Sequence, residues 1–244
     1  EMAQALQKMG KRLYAVGNRT YEKAVAFGKK YQVEKVYDNI EDMFFDEKAD
    51  IIYITSPHNT HYTFIKEALK HGKHVLAEKS ITLNSRELEE LRELAAENNL
   101  ILAEAMPLYK ELWKIVKSGE LGRVQMITMN FGSFKEYDMK NRFFNPHLAG
   151  GAMLDIGVYA LSVVRSFMEE APEFIVSQWK EAPTGVDEQA TMLLQNTKGQ
   201  MATVALSMHS KQPKRAMISC EKGYIEIMEY PRADKAVIVD AETG

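Results

Sequence analysis

The sequence lacks the features that mark extracellular, membrane-spanning and nucleic-acid-binding proteins. Its 244 residues contain one cysteine, Cys220, so no internal disulfide and no Cys-x-x-Cys pair can form. The 31 basic and 34 acidic residues are spread along the chain and give a net charge of −3, which argues against nucleic acid or an anionic membrane as a partner. No apolar run approaches the roughly 20 residues of a bilayer crossing, and no basic-then-apolar leader is seen. These absences predict a cytoplasmic location.

The residues that are present indicate a globular protein. Hydrophobic residues make up 45% and charged residues 27% of the sequence, and the length suits one large domain or two ordinary ones. The 14 methionines are interpreted as adaptable core residues. The six histidines show no zinc-like spacing, so no metal site is predicted.

Residues 1–106 alternate short apolar strands with amphipathic helices. Because such short connections between strands require right-handed crossovers, they predict a doubly wound α/β domain with a parallel, Rossmann-like sheet. The helix over about residues 85–98 is expected to begin at a cap formed by Asn84 or Ser85. The predicted strands are Leu13–Val16, Val36–Tyr37, Ile51–Thr55, His74–Ala77 and Leu100–Ala105.

Residues 107–244 have a different pattern. After one helix, seven strand-like segments follow, some joined by hairpin turns at Lys198-Gly199 and Lys222-Gly223. A single clear helix, from about Leu154 to Met168, interrupts them. This arrangement predicts an α+β domain with an open, mostly antiparallel sheet and helices on one face.

A dinucleotide-binding domain normally carries Gly-x-Gly-x-x-Gly between its first strand and first helix, and this motif is absent. One interpretation is a doubly wound domain of another kind. The other, which we favour, is that the sequence starts within the helix that the glycine loop opens, because Glu1 is no initiator and residues 2–9 lack a helix start signal. The Rossmann-like sheet is then expected to be incomplete at its N-terminus.

Three motifs carry a resemblance to a known family. Residues 56–61 read Ser-Pro-His-Asn-Thr-His, residues 78–80 read Glu-Lys-Ser, and residues 150–159 read Gly-Gly-Ala-Met-Leu-Asp-Ile-Gly-Val-Tyr. They resemble the Thr-Pro-Asn-x-x-His, Glu-Lys-Pro and Gly-Gly-x-x-x-Asp-x-Gly-x-His/Tyr motifs of the glucose-fructose oxidoreductase, inositol dehydrogenase and MocA family. The resemblance implies a two-domain, nicotinamide-dependent oxidoreductase. Ser80 departs from the family's proline, which makes the backbone after Lys79 uncertain.

The resemblance implies roles for three catalytic residues. Tyr159 is the expected proton donor or acceptor, Lys79 the cation that lowers the pKa of Tyr159 and polarises a carbonyl, and Asp155 the group that orients substrate or Lys79. Asp155 and Tyr159 are four residues apart on a predicted helix and so share one face. Taken singly, Asp155 also suits a carboxylate that complements a helix dipole, and Tyr159 a core residue. Taken with Lys79, they favour a catalytic site.

Further residues are expected to bind cofactor or substrate. Asn18 and Arg19 end a strand where an arginine accepts the 2′-phosphate of NADP, although a solvated turn arginine is nearly as good an interpretation, and NAD stays possible. The resemblance places the turn with Ser56, Pro57, Asn59 and His61, and also Glu78 and Lys79, beside the cofactor. Asn59 also suits a helix cap, and His61 an ordinary first-turn residue. Arg142 and Phe143 are expected to line the substrate site, with an aromatic loop anchor as the alternative.

The sequence therefore predicts an NADP-preferring dehydrogenase or reductase for a sugar, polyol or vicinal diol. The alternatives are a non-catalytic protein of the same fold that senses a ligand or dinucleotide, and an inert fragment unable to bind a dinucleotide. A homodimer formed through the open sheet face is also expected. The apolar residues thought to need a partner are Ile127, Met129, Met192, Leu194, Val204 and Leu206.

Overall fold

A computed structural model describes residues 2–107 and 109–243. The chain forms two compact units: the first contains residues 1–56 and 60–104, and the second contains residues 57–59 and 105–244. The sequence prediction places the change of domain after residue 106.

The first unit alternates helices and strands, as the hydrophobic pattern predicts. Helix α5 shows why one of these elements begins where it does: the Asn84 side chain accepts the Glu87 N–H at 3.0 Å, which satisfies a donor that the first helical turn leaves unpaired. The elements are α1 (Met2–Lys8), β1 (Ala15–Gly17), α2 (Tyr21–Tyr31), β2 (Lys35–Tyr37), α3 (Asp42–Phe45), β3 (Ile51–Ile54), α4 (His58–Lys70), β4 (His74–Ala77), α5 (Ser85–Glu97) and β5 (Leu102–Glu104).

The parallel strands of this unit form two separate ladders. β1 pairs with β2, and β3, β4 and β5 pair in that order, all in parallel. Within the described residues no ladder joins β1 to β3. Ile65 and Leu69 of α4 and Leu91 of α5 are fully buried in the core of this unit. The prediction of a doubly wound parallel fold is confirmed.

The second unit is built on a seven-stranded sheet with the order β12-β11-β10-β6-β9-β8-β7. Every neighbouring pair is antiparallel except β6 with β9, so the predicted mostly antiparallel sheet is confirmed. Its elements are α6 (Lys110–Ser118), β6 (Val124–Gly132), a 3-10 turn (Pro146–Leu148), a π-helical turn (Met153–Gly157), α7 (Val158–Phe167), β7 (Phe174–Glu181), β8 (Asp187–Gln195), β9 (Met201–Ser207), β10 (Arg215–Cys220), β11 (Gly223–Met228) and β12 (Val237–Asp240).

The residues that were expected to need a partner on the open sheet face lie instead in the core of this unit. Helix α7 packs against β6, β9 and β10, and the six residues point to the covered side. The basis of the dimer prediction was therefore wrong, because alternation separates the two faces of a strand without showing which one the helix covers. The six residues, each at most 7% exposed, are Ile127, Met129, Met192, Leu194, Val204 and Leu206.

One stretch, Pro146–Phe167, has the length and composition of a membrane span, with 22 residues and a mean hydropathy of 1.4. By this criterion the expectation that no run approaches that length was wrong. The stretch is not one regular helix, because Ala149 and Gly151 have φ values of +55° and +117°. Its α-helical part is α7, Val158–Phe167, with 10 residues, and α7 packs on the sheet. We interpret it as a core helix.

Candidate active site

Glu78 and Lys79 directly follow β4, so they lie at the carboxyl edge of the parallel strands, where open α/β sheets bind ligands. The Glu78 N–H donates to the Ile54 carbonyl at 2.8 Å, and the Tyr53 hydroxyl donates to the Glu78 carboxylate. The Lys79–Ser80 peptide is cis. Glu78 is therefore fixed to β3 through both backbone and side chain.

His61 joins the two loops that hold the predicted cofactor residues. Its ring is fully buried, with Nδ1 2.8 Å from the Ser80 carbonyl oxygen and Nε2 2.8 Å from the Ser56 carbonyl oxygen. Both ring nitrogens are thus occupied by backbone groups that only accept hydrogen bonds. This geometry indicates that His61 shapes the site by holding the loops after β3 and β4 together. Its assignment as a cofactor ligand stays a prediction.

Glu104, at the end of β5, is a third member of this edge that sequence reasoning missed. Its Oε1 accepts the Ile81 N–H at 2.9 Å, which fixes the loop that follows Lys79. Burial raises the pKa of Glu104, and this effect outweighs the opposing influence of the Ile81 N–H and of His61 and Lys79. The ends of β3, β4 and β5 are therefore linked by one set of polar contacts.

Asn18 and Arg19 follow β1, and of their two side chains only that of Asn18 forms a hydrogen bond among the described residues. Its Oδ1 accepts the Thr20 N–H at 2.8 Å, so it forms the turn ahead of α2. Arg19 is exposed, and no carboxylate of a described residue lies within 4.0 Å of its guanidinium. The structure thus leaves Arg19 available at a strand end, whereas Asn18 has a local structural role.

The Ser56–His61 turn is also held in place locally. The Thr60 hydroxyl donates to Ser56 Oγ at 2.7 Å. Asn59 does not cap its helix; its Nδ2 donates to the His147 carbonyl at 3.1 Å, and residues 57–59 belong to the second unit. Cofactor binding by Ser56, Pro57 and Asn59 stays a prediction.

Residues 150–159, here called the glycine box, contain a π-helical turn where the sequence predicted a regular helix. Asp155 lies within this turn, Met153–Gly157, and Tyr159 lies in the first turn of α7. A π-helix has wider turns than an α-helix, and the expectation that Asp155 and Tyr159 share one helical face stays a prediction. Asp155 is 8% exposed, and Tyr159 is partly buried. π-helical turns are frequent at functional sites because they redirect side chains.

Arg142, Phe143 and Asp155, the three predicted substrate residues, are brought together. Arg142 Nη2 lies 3.2 Å from Asp155 Oδ1, and the guanidinium also lies 4.3 Å from the centre of the Phe143 ring. The loop that carries Arg142 and Phe143 therefore reaches the carboxylate of the glycine box. The group presents a cation, a carboxylate and an aromatic ring, which can hydrogen-bond hydroxyl groups and pack on a carbon face.

Tyr159 is supported by Tyr230, which the sequence did not single out. The buried Tyr230 hydroxyl donates to the Tyr159 carbonyl, and the two rings meet edge to face at 6.4 Å. Phe131 contacts both rings, at 5.9 Å from Tyr159 and 6.0 Å from Tyr230. Burial is the main cause of the raised pKa of Tyr230, so Tyr230 stays a neutral donor. Only the fold reveals this contact, because 71 residues separate the two tyrosines.

Among the described residues, no three side chains of His, Cys, Asp or Glu cluster in a way that could hold a metal ion.

Family comparison covers both units. Residues 1–106 match the model of the oxidoreductase family with an NAD-binding Rossmann fold, and residues 109–226 match the C-terminal domain of the GFO/IDH/MocA family. The trans-1,2-dihydrobenzene-1,2-diol dehydrogenase of Xenopus tropicalis is 30% identical over 234 residues, which cover 93% of this chain and 70% of that protein.

Solved structures agree with this match. The aldose-aldose oxidoreductase from Caulobacter crescentus, complexed with glycerol, is 25% identical with a TM-score of 0.83, over 93% of this chain and 72% of that one. Levoglucosan dehydrogenase, solved with NADH and levoglucosan, has a TM-score of 0.85 at 17% identity, over 96% of this chain and 69% of that one, and shows the shared fold. This chain belongs to the Gfo/Idh/MocA family of NAD-binding oxidoreductases.

Proposed function

We propose that this oxidoreductase is an NADP-preferring dehydrogenase or reductase for a sugar, a polyol or a vicinal diol. The observation that carries the proposal is the Arg142–Asp155 pair, which holds a guanidinium against a carboxylate of the helical segment that also contains Tyr159. A related protein at 30% identity is a diol dehydrogenase by name, and a structural relative at 25% identity is an aldose oxidoreductase by name. These relatives favour catalysis over the alternative of a non-catalytic sensing protein.

Some of the groups that bind an anionic dinucleotide lie at the carboxyl edge of the parallel strands. Arg19 and Lys79 are cations that lie two residues beyond the ends of β1 and β4, and the Ser56 hydroxyl lies two residues beyond β3. Arg19 is suited to hold the 2′-phosphate of NADP through charge-assisted hydrogen bonds. The glycine motif that normally approaches the pyrophosphate is not found in this sequence.

The chain's own groups supply the proton chemistry. When bound, the nicotinamide ring accepts a hydride from the substrate carbon that bears the hydroxyl. The Tyr159 phenolate removes the hydroxyl proton, the C–O bond becomes a carbonyl, and the Lys79 ammonium stabilises the negative charge that develops on oxygen. Asp155, fixed by Arg142, orients the substrate hydroxyls. In the reverse direction Tyr159 returns the proton to the carbonyl oxygen.

We also propose a cytoplasmic homodimer formed through the uncovered face of the seven-stranded sheet. Apolar side chains on that face are exposed: Met126 pairs with Met201 across β6 and β9, and Leu193 on β8 is 52% exposed. Burying such side chains against a second copy removes apolar surface from water. Light scattering at micromolar concentration tests this proposal, and a monomer at that concentration contradicts it.

The activity is tested by incubating the purified protein with NADP⁺ or NAD⁺ and a panel of vicinal diols, polyols and aldoses. Reduced nicotinamide is followed by its absorbance. We expect turnover with at least one substrate and a higher kcat/KM for NADP⁺ than for NAD⁺. No turnover with any member, combined with measurable binding of a sugar or diol by calorimetry, supports the sensing alternative.

A further inference from the structure

Asp187, at the start of β8, contacts the glycine box from a distant part of the sequence. Its Oδ2 accepts the Met153 N–H at 2.7 Å, across 34 residues. Asp187 is partly buried, and burial raises the pKa of its carboxyl group while the Met153 N–H opposes this. The first amides of a helix have no partner within the helix. Asp187 therefore supplies the cap of the helical segment that carries Asp155 and Tyr159.

Gly151 is shaped to receive this carboxylate. Its φ value is +117°, a region that side chains rarely adopt, and a Cβ at this position would lie 2.1 Å from Asp187 Oδ1. The Asp155 N–H donates back to the Gly151 carbonyl at 3.0 Å. Asp187 thus holds the Met153 N–H in the first turn, and the Gly151 carbonyl accepts the first backbone hydrogen bond of the segment, from Asp155.

The π-helical turn lies directly after this cap, and its register decides where Asp155 and Tyr159 point. The Val158 N–H donates to the Met153 carbonyl, a five-residue step, while the Asp155 N–H makes a four-residue step. One segment thus contains both kinds of step. A register without the wide turn rotates Asp155 relative to Tyr159. The Asp187 carboxylate, bound to the Met153 N–H, fixes the N-terminal end of this segment and so its register.

We propose that Asp187 is a positioning residue for the reaction, acting through the helical cap to set the directions of Asp155 and Tyr159. The inference rests on the proposed function, because it assigns consequences to the roles of those two residues. In this role Asp187 touches neither substrate nor cofactor. Loss of its carboxylate is expected to lower kcat, since a displacement of about 1 Å in catalytic groups costs about 100-fold in rate.

Asp187 also lies against an open groove of about 410 Å³, which Met153, Trp179 and Val186 help to line. A small carboxylate can therefore diffuse to the cap position once the aspartate side chain is removed. This opening makes chemical rescue possible: formate in Asp187→Ala should accept the same Met153 N–H and restore part of kcat. An effect through overall stability alone does not respond to formate in this way.

The experiment compares Asp187→Ala, Asp187→Asn and Asn84→Ala in the oxidoreductase assay, with and without formate against chloride of equal ionic strength. Asn84→Ala is the matched control because it also removes the cap of one helix, α5. We expect kcat to fall about 10- to 100-fold in Asp187→Ala, with dinucleotide affinity within twofold of the wild type, and formate to recover part of the loss. Asp187→Asn should show a smaller loss, because the carboxamide oxygen still accepts one N–H.

Asn84→Ala should lower the unfolding midpoint and leave kcat unchanged. A kcat for Asp187→Ala within twofold of the wild type overturns the proposal, as does an equal loss of kcat in Asn84→Ala. If Asp187→Ala does not fold, Asp187→Asn decides the matter by the same criteria. Tyr159→Phe is measured in parallel. An inactive Tyr159→Phe with an active Asp187→Ala refutes the positioning role alone, whereas an active Tyr159→Phe refutes the proposed catalytic role itself.

Discussion

The Tyr137 hydroxyl stabilises a buried carboxylate, and its removal should have a measurable cost. Glu188 is fully buried, accepts a hydrogen bond from Tyr137 and forms an ion pair with the Lys180 ammonium, which lies 2.6 Å from Oε1. The Tyr137 ring stacks on His209 at 3.8 Å and packs on Phe144 at 5.2 Å. Tyr137→Phe keeps both ring contacts and removes only the hydroxyl. The variant thus isolates one hydrogen bond to a buried charge.

The expected loss is about 1–3 kcal/mol of unfolding free energy, the usual cost of leaving a buried polar group without a partner. For a protein of this size each kcal/mol lowers the Tm by about 2–4 °C. Burial tends to raise the pKa of Glu188, but the hydrogen bonds from Lys180 and Tyr137 more than offset it, so the pKa is lowered. Because the pKa of Glu188 is lower in the folded protein than in the unfolded chain, its ionised form stabilises the fold. This stability is present above the usual carboxyl pKa and is lost as the pH falls through the lowered value.

Differential scanning calorimetry between pH 7 and pH 3 measures this effect. The difference in Tm between wild type and Tyr137→Phe should be largest at neutral pH and should shrink towards acid. Tyr21→Phe is a matched control, since Tyr21 is 45% exposed and has no hydrogen bond from its hydroxyl to a described residue. A Tm for Tyr137→Phe equal to that of wild type at pH 7 would refute the argument.

Three further predictions concern separate parts of the molecule. Arg19→Ala should weaken NADP binding far more than NAD binding, because only NADP has the 2′-phosphate, and equal losses by fluorescence titration would remove Arg19 from the cofactor site. Ile65→Ala should lower the free energy of unfolding, measured by denaturant titration, by about 2–5 kcal/mol, because Ile65 is fully buried and its truncation leaves a cavity. A decrease below about 1 kcal/mol would contradict this. Hydrogen bonds from Lys35, Tyr37 and the Lys48 N–H lower the pKa of Asp46. Asp46→Asn should therefore be less stable than the wild type at neutral pH and should lose less stability on acidification. Unfolding midpoints followed by circular dichroism that change in parallel with pH for the two proteins would argue against it.

Features set by neighbouring residues were predicted from the sequence. The Asn84 cap, the hairpin at Gly199 and the alternation of strands and helices each depend on a few adjacent side chains. The family motifs also led to Arg142, Phe143 and Asp155, and the structure brings these three together. Patterns of this kind were sufficient for the fold class and for part of the site.

Features set by distant contacts were missed. The π-helical turn is held by Asp187, and the backbone of Tyr159 is held by Tyr230, both far along the chain from the glycine box. The two faces of the seven-stranded sheet alternate equally well in sequence, so the covered face was assigned wrongly until the position of α7 was known. Glu104 looked like an ordinary strand residue, because its partner Ile81 lies on a loop 23 residues away.

The proton-transfer role of Tyr159 is the central claim, and Tyr159→Phe tests it most directly. The substitution keeps the ring that packs against Phe131 and Tyr230 and removes only the hydroxyl. On any substrate that the wild type oxidises with NADP⁺, kcat should fall about 10²- to 10⁴-fold, while the Kd for NADP⁺ stays within twofold. A kcat close to that of the wild type would contradict this role, because it would show that Tyr159 only packs.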